Sequence, residues 1–178
     1  MKQIGSRITI EHTVGGPEVH VRAPRNWWAL IFLPIWLAGW TFGGLVALGT
    51  FLREPQLFLG VWLLGWVAGE ALAVLAWSWA AFGEEVLTFY EGVLTLAKRI
   101  GPFQRTRRFP LHETSNVRAA GWFGSPTSFA DAMRPWGLTG GTLAFDHNNR
   151  PVRFGIGLAE QEARELATEL APYVRQAA

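Results

Sequence analysis

Residues 56–83 read QLFLGVWLLGWVAGEALAVLAWSWAAFG, and this stretch decides what kind of fold the chain has. Apart from Glu70, it contains no charged residue. A helix needs roughly 20 apolar residues to cross a hydrocarbon core of about 30 Å, and this stretch exceeds that length. It therefore predicts a transmembrane helix.

A second apolar run lies just before it. Residues 26–52 carry no charge at all, and only the short polar turn at residues 53–56 separates the two runs. The composition agrees, because 49% of the chain is hydrophobic, 17% is charged and ten residues are tryptophan. We therefore predict a hairpin of two transmembrane helices at residues 26–83. The alternative is a pair of buried helices in a soluble core.

The basic residues that flank the runs predict the orientation of this hairpin. Arg22 and Arg25 precede the first run, Lys98 and Arg99 follow the second, and the turn offers only Arg53. Basic residues favour the cytoplasmic side of a membrane. We expect a multi-pass protein of the bacterial inner membrane with both termini in the cytoplasm.

A helical period places several unusual residues of the second run on one face. Trp62, Trp66, Glu70 and Trp77 share this face, with glycines beside it. Small residues four apart let helix backbones approach closely in lipid, although they also occur as ordinary membrane glycines. The predicted helix and partner interface comprises Trp62, Trp66, Glu70, Trp77, Gly39, Gly43, Gly65 and Gly69.

A charged Glu70 is energetically unfavourable at this depth in a membrane. A carboxylate in mid-membrane costs about 2.5–3.5 kcal/mol on insertion scales, so it should be paired, protonated or shielded by protein. Three interpretations remain open. Glu70 hydrogen-bonds a group of its own hairpin, such as Thr41 or the indole of Trp66 or Trp77. It meets a polar group on another subunit. It relays protons or ions.

The chain after the second run changes character. Alternating patterns and turn signals predict strands at residues 85–90, 93–99, 104–111, 113–120, 142–147 and 151–156. An amphipathic helix is predicted at residues 158–171, and it is expected to break or end near Pro172. At the N-terminus, residues 7–11 and 18–22 predict a β-hairpin that docks on the same layer. The predicted domains are a tail at 1–25, the hairpin at 26–83 and a cytoplasmic domain at 84–178.

The pattern EEVLTFYEGVLTLAKRIGPFQRTRRFPLHETSNVRA, followed later by GTLAFDHNNRPVRFGIGLAEQEARELATEL, resembles the bacterial PH-like domains of small membrane proteins. The resemblance covers residues 84–174, and two spans beside such a domain also occur in that group. It implies a small, mainly β barrel with a C-terminal helix. It also implies a binding or scaffolding role, without naming the partner.

Basic residues cluster around one predicted hairpin of this domain. The cluster consists of Lys98, Arg99, Arg105, Arg107 and Arg108. A basic residue near an anionic leaflet contributes about 1 kcal/mol, so contact with lipid headgroups or an acidic partner is one interpretation. A solvated hairpin that satisfies the positive-inside rule is the other. Nucleic acid is not expected as a partner, because residues 84–178 carry eleven basic and ten acidic residues.

Chemical motifs are scarce. The four histidines lie in separate segments without metal-ligand spacing, and there is no cysteine. The chain has no G-x-S-x-G, phosphate loop or dinucleotide fingerprint. We predict no catalytic residue, metal, cofactor or small-molecule substrate, and hence no enzyme.

The function expected from these observations is that of a non-catalytic accessory subunit that braces a larger inner-membrane complex. Its expected partners are other membrane protein subunits and membrane lipids, and a photosynthetic or respiratory electron-transport assembly is the host considered first. Two alternatives remain. One is a stand-alone membrane-anchored module that binds anionic lipid or a stress-signalling partner. The other is a proton or ion carrier that uses Glu70.

Overall fold

The computed structural model of the protein describes residues 2–13, 16–25, 27–120 and 140–175. These residues fall into two compact units. One comprises Met1–Pro24 with Phe82–Ala178, and the other comprises Arg25–Ala81. The predicted loop at residues 121–141 lies, except for its end, outside the described residues.

The second unit is built from two long apolar helices, α1 (Trp27–Arg53) and α2 (Leu57–Phe82). Both are long and apolar enough to cross a membrane, and at most 6% of either apolar window is buried. The prediction of two long apolar helices is therefore confirmed. Helices of this kind leave most of their apolar surface uncovered by the protein itself.

The first unit contains a sheet of six antiparallel strands in chain order. They are β1 (Lys2–Ile4), β2 (Ile8–Thr13), β3 (Gly16–Arg22), β4 (Gly83–Tyr90), β5 (Val93–Ile100) and β6 (Phe103–Pro110). The N-terminal hairpin joins this sheet through β3, which pairs with β4 from Glu18 opposite Thr88 to Arg22 opposite Glu84. The edge of β2 is thus covered on one side by β3 and on the other by β1, a strand too short for the sequence to signal.

A short 3₁₀ helix (Leu111–Glu113) leads into a second antiparallel sheet. Its strands are β7 (Thr114–Ala119), β8 (Leu143–His147) and β9 (Arg150–Phe154), and they pair in that order. Asn148 and Asn149 have φ of 50° and 59°, as the tight turn between β8 and β9 requires. Among the described strands no pairing joins the two sheets. They stay open rather than closing into the predicted barrel.

One helix, α3 (Glu160–Arg175), completes the first unit. Its apolar stripe is buried in the same core as the inner faces of both sheets, with Leu166 and Leu170 almost fully covered. Burying a side chain of this size contributes about 1.5–3 kcal/mol. A mainly antiparallel β unit with a C-terminal helix is therefore confirmed.

The predicted end of α3 was wrong, because the helix continues through Pro172 to Arg175. A proline inside a helix lacks the N–H that would bond the preceding turn. Tertiary contacts hold the last turn nevertheless. Val174 is buried, and the ring centroid of Tyr173 lies 5.8 Å from that of Phe89.

Candidate functional site

The two apolar helices pack along a seam with three polar or aromatic contacts. The rings of Trp40 and Trp66 stack with centroids 6.4 Å apart and planes 8° from parallel. The Thr41 hydroxyl donates to Glu70 Oε1. Further along, Trp77 Nε1 donates to the backbone oxygen of Leu30 over 3.2 Å. The face of α2 predicted from the helical period is therefore largely the face that packs against α1.

Among the glycines of the two helices, Gly44 is the one whose Cβ position is occupied by a side chain of the opposite helix at the shortest distance. A Cβ atom built on Gly44 would overlap the indole of Trp66. Sequence reasoning missed this residue because it searched for glycines four apart. The only signal in the sequence was a third glycine directly after Gly43, which a spacing rule does not rank.

The four predicted glycines all have open Cβ positions. A Cβ atom on any of them would meet nothing within 4 Å. They differ in their surroundings. Gly39 and Gly43 lie in a groove of the hairpin surface, whereas Gly65 and Gly69 do not line it.

This groove, which we call the indole groove, has a volume of about 460 Å³. Its lining consists of Ile35, Trp36, Gly39, Trp40, Gly43, Trp62 and Trp66. Trp36 stacks on Trp40 at 4.7 Å, which holds the indoles as flat walls. Gly39 and Gly43 lack side chains to fill the space between them. The groove offers apolar surface and no charged group.

Glu70 is half-buried and finds its partner inside its own hairpin. The Thr41 oxygen also lies 2.8 Å from the Leu37 carbonyl oxygen, which is a second possible acceptor for the same hydroxyl. A hydroxyl has one proton but two lone pairs, so it can serve only one of these acceptors at a time. Of the three interpretations of Glu70, this geometry supports the internal hydrogen bond. Contact with another subunit stays a prediction.

The asymmetry of this contact gives a testable prediction. Glu70→Leu should leave the hairpin as stable as before, because Thr41 keeps its bond to Leu37. Thr41→Val should destabilise it by about 1–3 kcal/mol, because the Glu70 carboxyl then has no partner. Glu70→Gln should match the wild type, since an amide can donate to Thr41. Unfolding of the three purified variants in increasing SDS measures the stability of the hairpin. Equal losses of stability in Glu70→Leu and Thr41→Val would contradict this interpretation of the Thr41–Glu70 contact.

The five predicted basic residues do not form a single face. Directly opposed residues of paired strands share a face, and successive residues alternate. Lys98 opposes Arg105, and Arg107 opposes the buried Leu96, so these three cations lie on the side of the sheet that faces the core. The other two, Arg99 and Arg108, lie on the opposite side.

Several of these cations already have partners. Lys98 Nζ lies 3.0 Å from Glu85 Oε1, and Arg99 Nε donates to Gln104 over 3.2 Å. The guanidinium of Arg107 lies 5.2 Å from the centre of the Phe109 ring. The predicted binding cluster is therefore partly used for packing the β5–β6 hairpin.

Glu85 is the buried charge that sequence reasoning missed. Its side chain is 1% exposed, and Oε2 accepts from the backbone N–H groups of Gly155 and Ile156 at 2.6 and 2.8 Å. Lys98 stands beside Oε1 as an ion pair, although this contact is not directed as a hydrogen bond. Glu85 thus ties β4 to the loop between β9 and α3. Its role is structural.

The described part of the chain contains no group of three or more His, Cys, Asp or Glu residues placed to hold a metal ion. Among the carboxyls, Asp146 has a clear structural role. Hydrogen bonds from Arg118, at 2.7 Å, and Asn116, at 2.8 Å, lower the pKa of Asp146 below its usual value. These bonds connect β7 with β8 at the point where their register shifts.

Comparison with protein-family models, curated proteins and solved structures returned no match for this chain. The resemblance to bacterial PH-like domains therefore stays a prediction.

Proposed function

We propose that this chain is a non-catalytic accessory subunit of a larger complex in the bacterial inner membrane. In this proposal α1 and α2 cross the membrane as a hairpin with both termini in the cytoplasm. The β unit, a PH-like scaffold by resemblance, stands on the cytoplasmic side. A photosynthetic or respiratory electron-transport assembly is the first host to test.

The observation that carries this proposal is the indole groove. Lipid tails are at least as apolar as the groove, so the hydrophobic effect does not drive a partner helix into the groove within a membrane. Close packing does, and two glycines one turn apart let a second backbone approach. The stacked walls of Trp36 and Trp40 give such a helix a rigid surface. A transmembrane helix of a partner subunit, with small residues on one face, fits this shape.

The glycines that line the groove provide the test. Gly39→Leu and Gly43→Leu place side chains in the groove without a clash at the new Cβ atom, because nothing lies within 4 Å of their Cβ positions. We expect both variants to insert normally but to be lost from the complex. Blue-native electrophoresis of mildly solubilised membranes, probed for this chain, measures the loss.

Gly65→Leu and Gly69→Leu are matched controls. Their Cβ positions are equally open, but they do not line the groove. We expect these two variants to remain in the complex. Retention of all four variants would remove the groove as a docking site, and migration of the wild type alone would contradict the accessory-subunit proposal.

The two alternatives explain less of the structure. If the chain were a stand-alone lipid-binding module, the indole groove would have no partner protein to bind. A proton or ion carrier usually needs several ionisable groups in series, whereas the apolar stretches 26–52 and 56–83 contain only Glu70, and Thr41 already bonds it.

A further inference from the structure

The turn between β5 and β6 is apolar at its tip. Residues 100–103 read Ile-Gly-Pro-Phe, and Phe103 is 79% exposed. A single exposed apolar side chain is ordinary and carries no meaning by itself. Phe103 becomes informative through the position of this tip in the sheet and through the charges around the tip.

The strand register places the tip at the end of the sheet where the chain leaves α2. Gly83, the first residue after α2, pairs with Ile100, and Ile100 pairs with Phe103. On the neighbouring strand Arg22 pairs with Glu84, and the chain enters α1 only a few residues later. The tip and both connections to the apolar helices therefore lie at the same end of the sheet.

The charges are distributed unevenly along the strands. Arg99 and Arg105 flank the tip, and the two acidic residues near them are already engaged. Glu84 lies opposite Arg22 in the strand register, and Glu85 forms an ion pair with Lys98. At the far end of the sheet, the turn between β4 and β5 carries Glu91 instead. An anionic surface would thus attract the tip, whereas the opposite turn carries a negative charge at Glu91.

Strand geometry separates the cations that can act with the tip from those that cannot. A strand rises about 3.4 Å per residue, so Arg105 lies about 7 Å from Phe103, and Arg108 about 17 Å. Each headgroup layer of a bilayer is about 5–8 Å thick. If the strands run along the membrane normal with Phe103 at the inner boundary of this layer, Arg105 and the neighbouring Arg99 lie at the level of the lipid phosphates. Arg107 and Arg108 stay above them.

We propose that the β5–β6 turn docks on the anionic phospholipid surface of the membrane. Phe103 enters the boundary between headgroups and acyl chains, while Arg99 and Arg105 bind lipid phosphates. This inference rests on the proposed crossing of the membrane by α1 and α2. The docked turn would fix the β unit against the bilayer independently of any protein partner.

The absence of cysteine from the chain permits a direct test. Single cysteines are introduced into the full-length protein at Pro102 in the tip, at Leu64 in α2 and at Glu91 in the opposite turn. Each is spin-labelled in nanodiscs of phosphatidylcholine with about 30% phosphatidylglycerol. Collision with oxygen, relative to a water-soluble nickel complex, reports the depth of each label. We expect a deep label at 64, a label at the headgroup boundary at 102, and an aqueous label at 91.

Further variants in the Pro102→Cys background separate the contributions of the arginines and of Phe103 to membrane docking. Each charge removed by Arg99→Gln or Arg105→Gln should lower the bound-to-free ratio of the tip about fivefold. Phosphatidylcholine alone, or Phe103→Ser, should also release the label into water. Arg107→Gln and Arg108→Gln are matched controls and should leave its depth unchanged.

The outcomes distinguish this inference from the proposed function. An aqueous label at 102 together with a deep label at 64 would overturn the docking of the tip and leave the membrane hairpin intact. An aqueous label at 64 would overturn the hairpin itself. If the label at 102 is buried to the same depth with and without anionic lipid, and also in Arg99→Gln, then the arginines do not bind lipid phosphates as proposed.

Discussion

Replacing Glu85 by alanine is expected to lower the free energy of unfolding of the β unit by about 2–6 kcal/mol, because two buried hydrogen-bond donors lose their acceptor. The substitution leaves the N–H groups of Gly155 and Ile156 without an acceptor in a buried site. A buried donor that loses its partner costs about 1–3 kcal/mol. Against a typical total stability of about 5–15 kcal/mol, this loss is large.

Hydrogen exchange of the full-length protein measures this effect where it should occur. Peptides from β9 and the start of α3 should exchange faster in Glu85→Ala, because Glu85 ties that loop to β4. Glu85→Gln should lose less, since its amide oxygen still accepts. Lys98→Met is the control for the ion pair, and the two N–H bonds survive in it. Exchange of Glu85→Ala at the wild-type rate would show that the loop does not depend on this carboxyl.

Gly44→Ala should have the second large effect, in the helical unit. Its new Cβ would overlap the Trp66 indole, so either the indole leaves its stacked position or α1 and α2 separate. Overpacking of this kind typically costs about 1–3 kcal/mol. The better helix propensity of alanine returns up to about 1 kcal/mol. We therefore expect a net loss in SDS unfolding, together with a change in the fluorescence of the stacked tryptophans.

Gly43→Ala supplies the comparison for that experiment. It lies one residue away on the same helix, but its Cβ position is open. The same gain in helix propensity then acts without a clash, so Gly43→Ala should be as stable as the wild type or more so. Equal stability of Gly43→Ala and Gly44→Ala would contradict the observed packing of Trp66.

The kinds of secondary-structure elements and much of their extent could be predicted from the sequence. Charge-free runs predicted α1 and α2, because length and hydropathy are properties of one continuous segment. Strands β2 to β9 followed from alternation and from turn residues such as the Asn148-Asn149 pair. Thr41 was among the partners proposed for Glu70, because few polar groups lie on the first apolar run.

Only the tertiary structure decided which residues meet. Spacing alone ranked Gly39 and Gly43, yet the rotation of the two helices about their axes places Gly44 against Trp66. The sequence around Glu85 indicates only a polar residue near the start of a strand. Its hydrogen-bond partners Gly155 and Ile156 lie 70 and 71 positions away along the chain. Pro172 predicts a helix end, but contacts of Tyr173 and Val174 with the core outweigh that local cost. Periodicity and propensity act within a segment, whereas packing and buried hydrogen bonds depend on which distant segments come together.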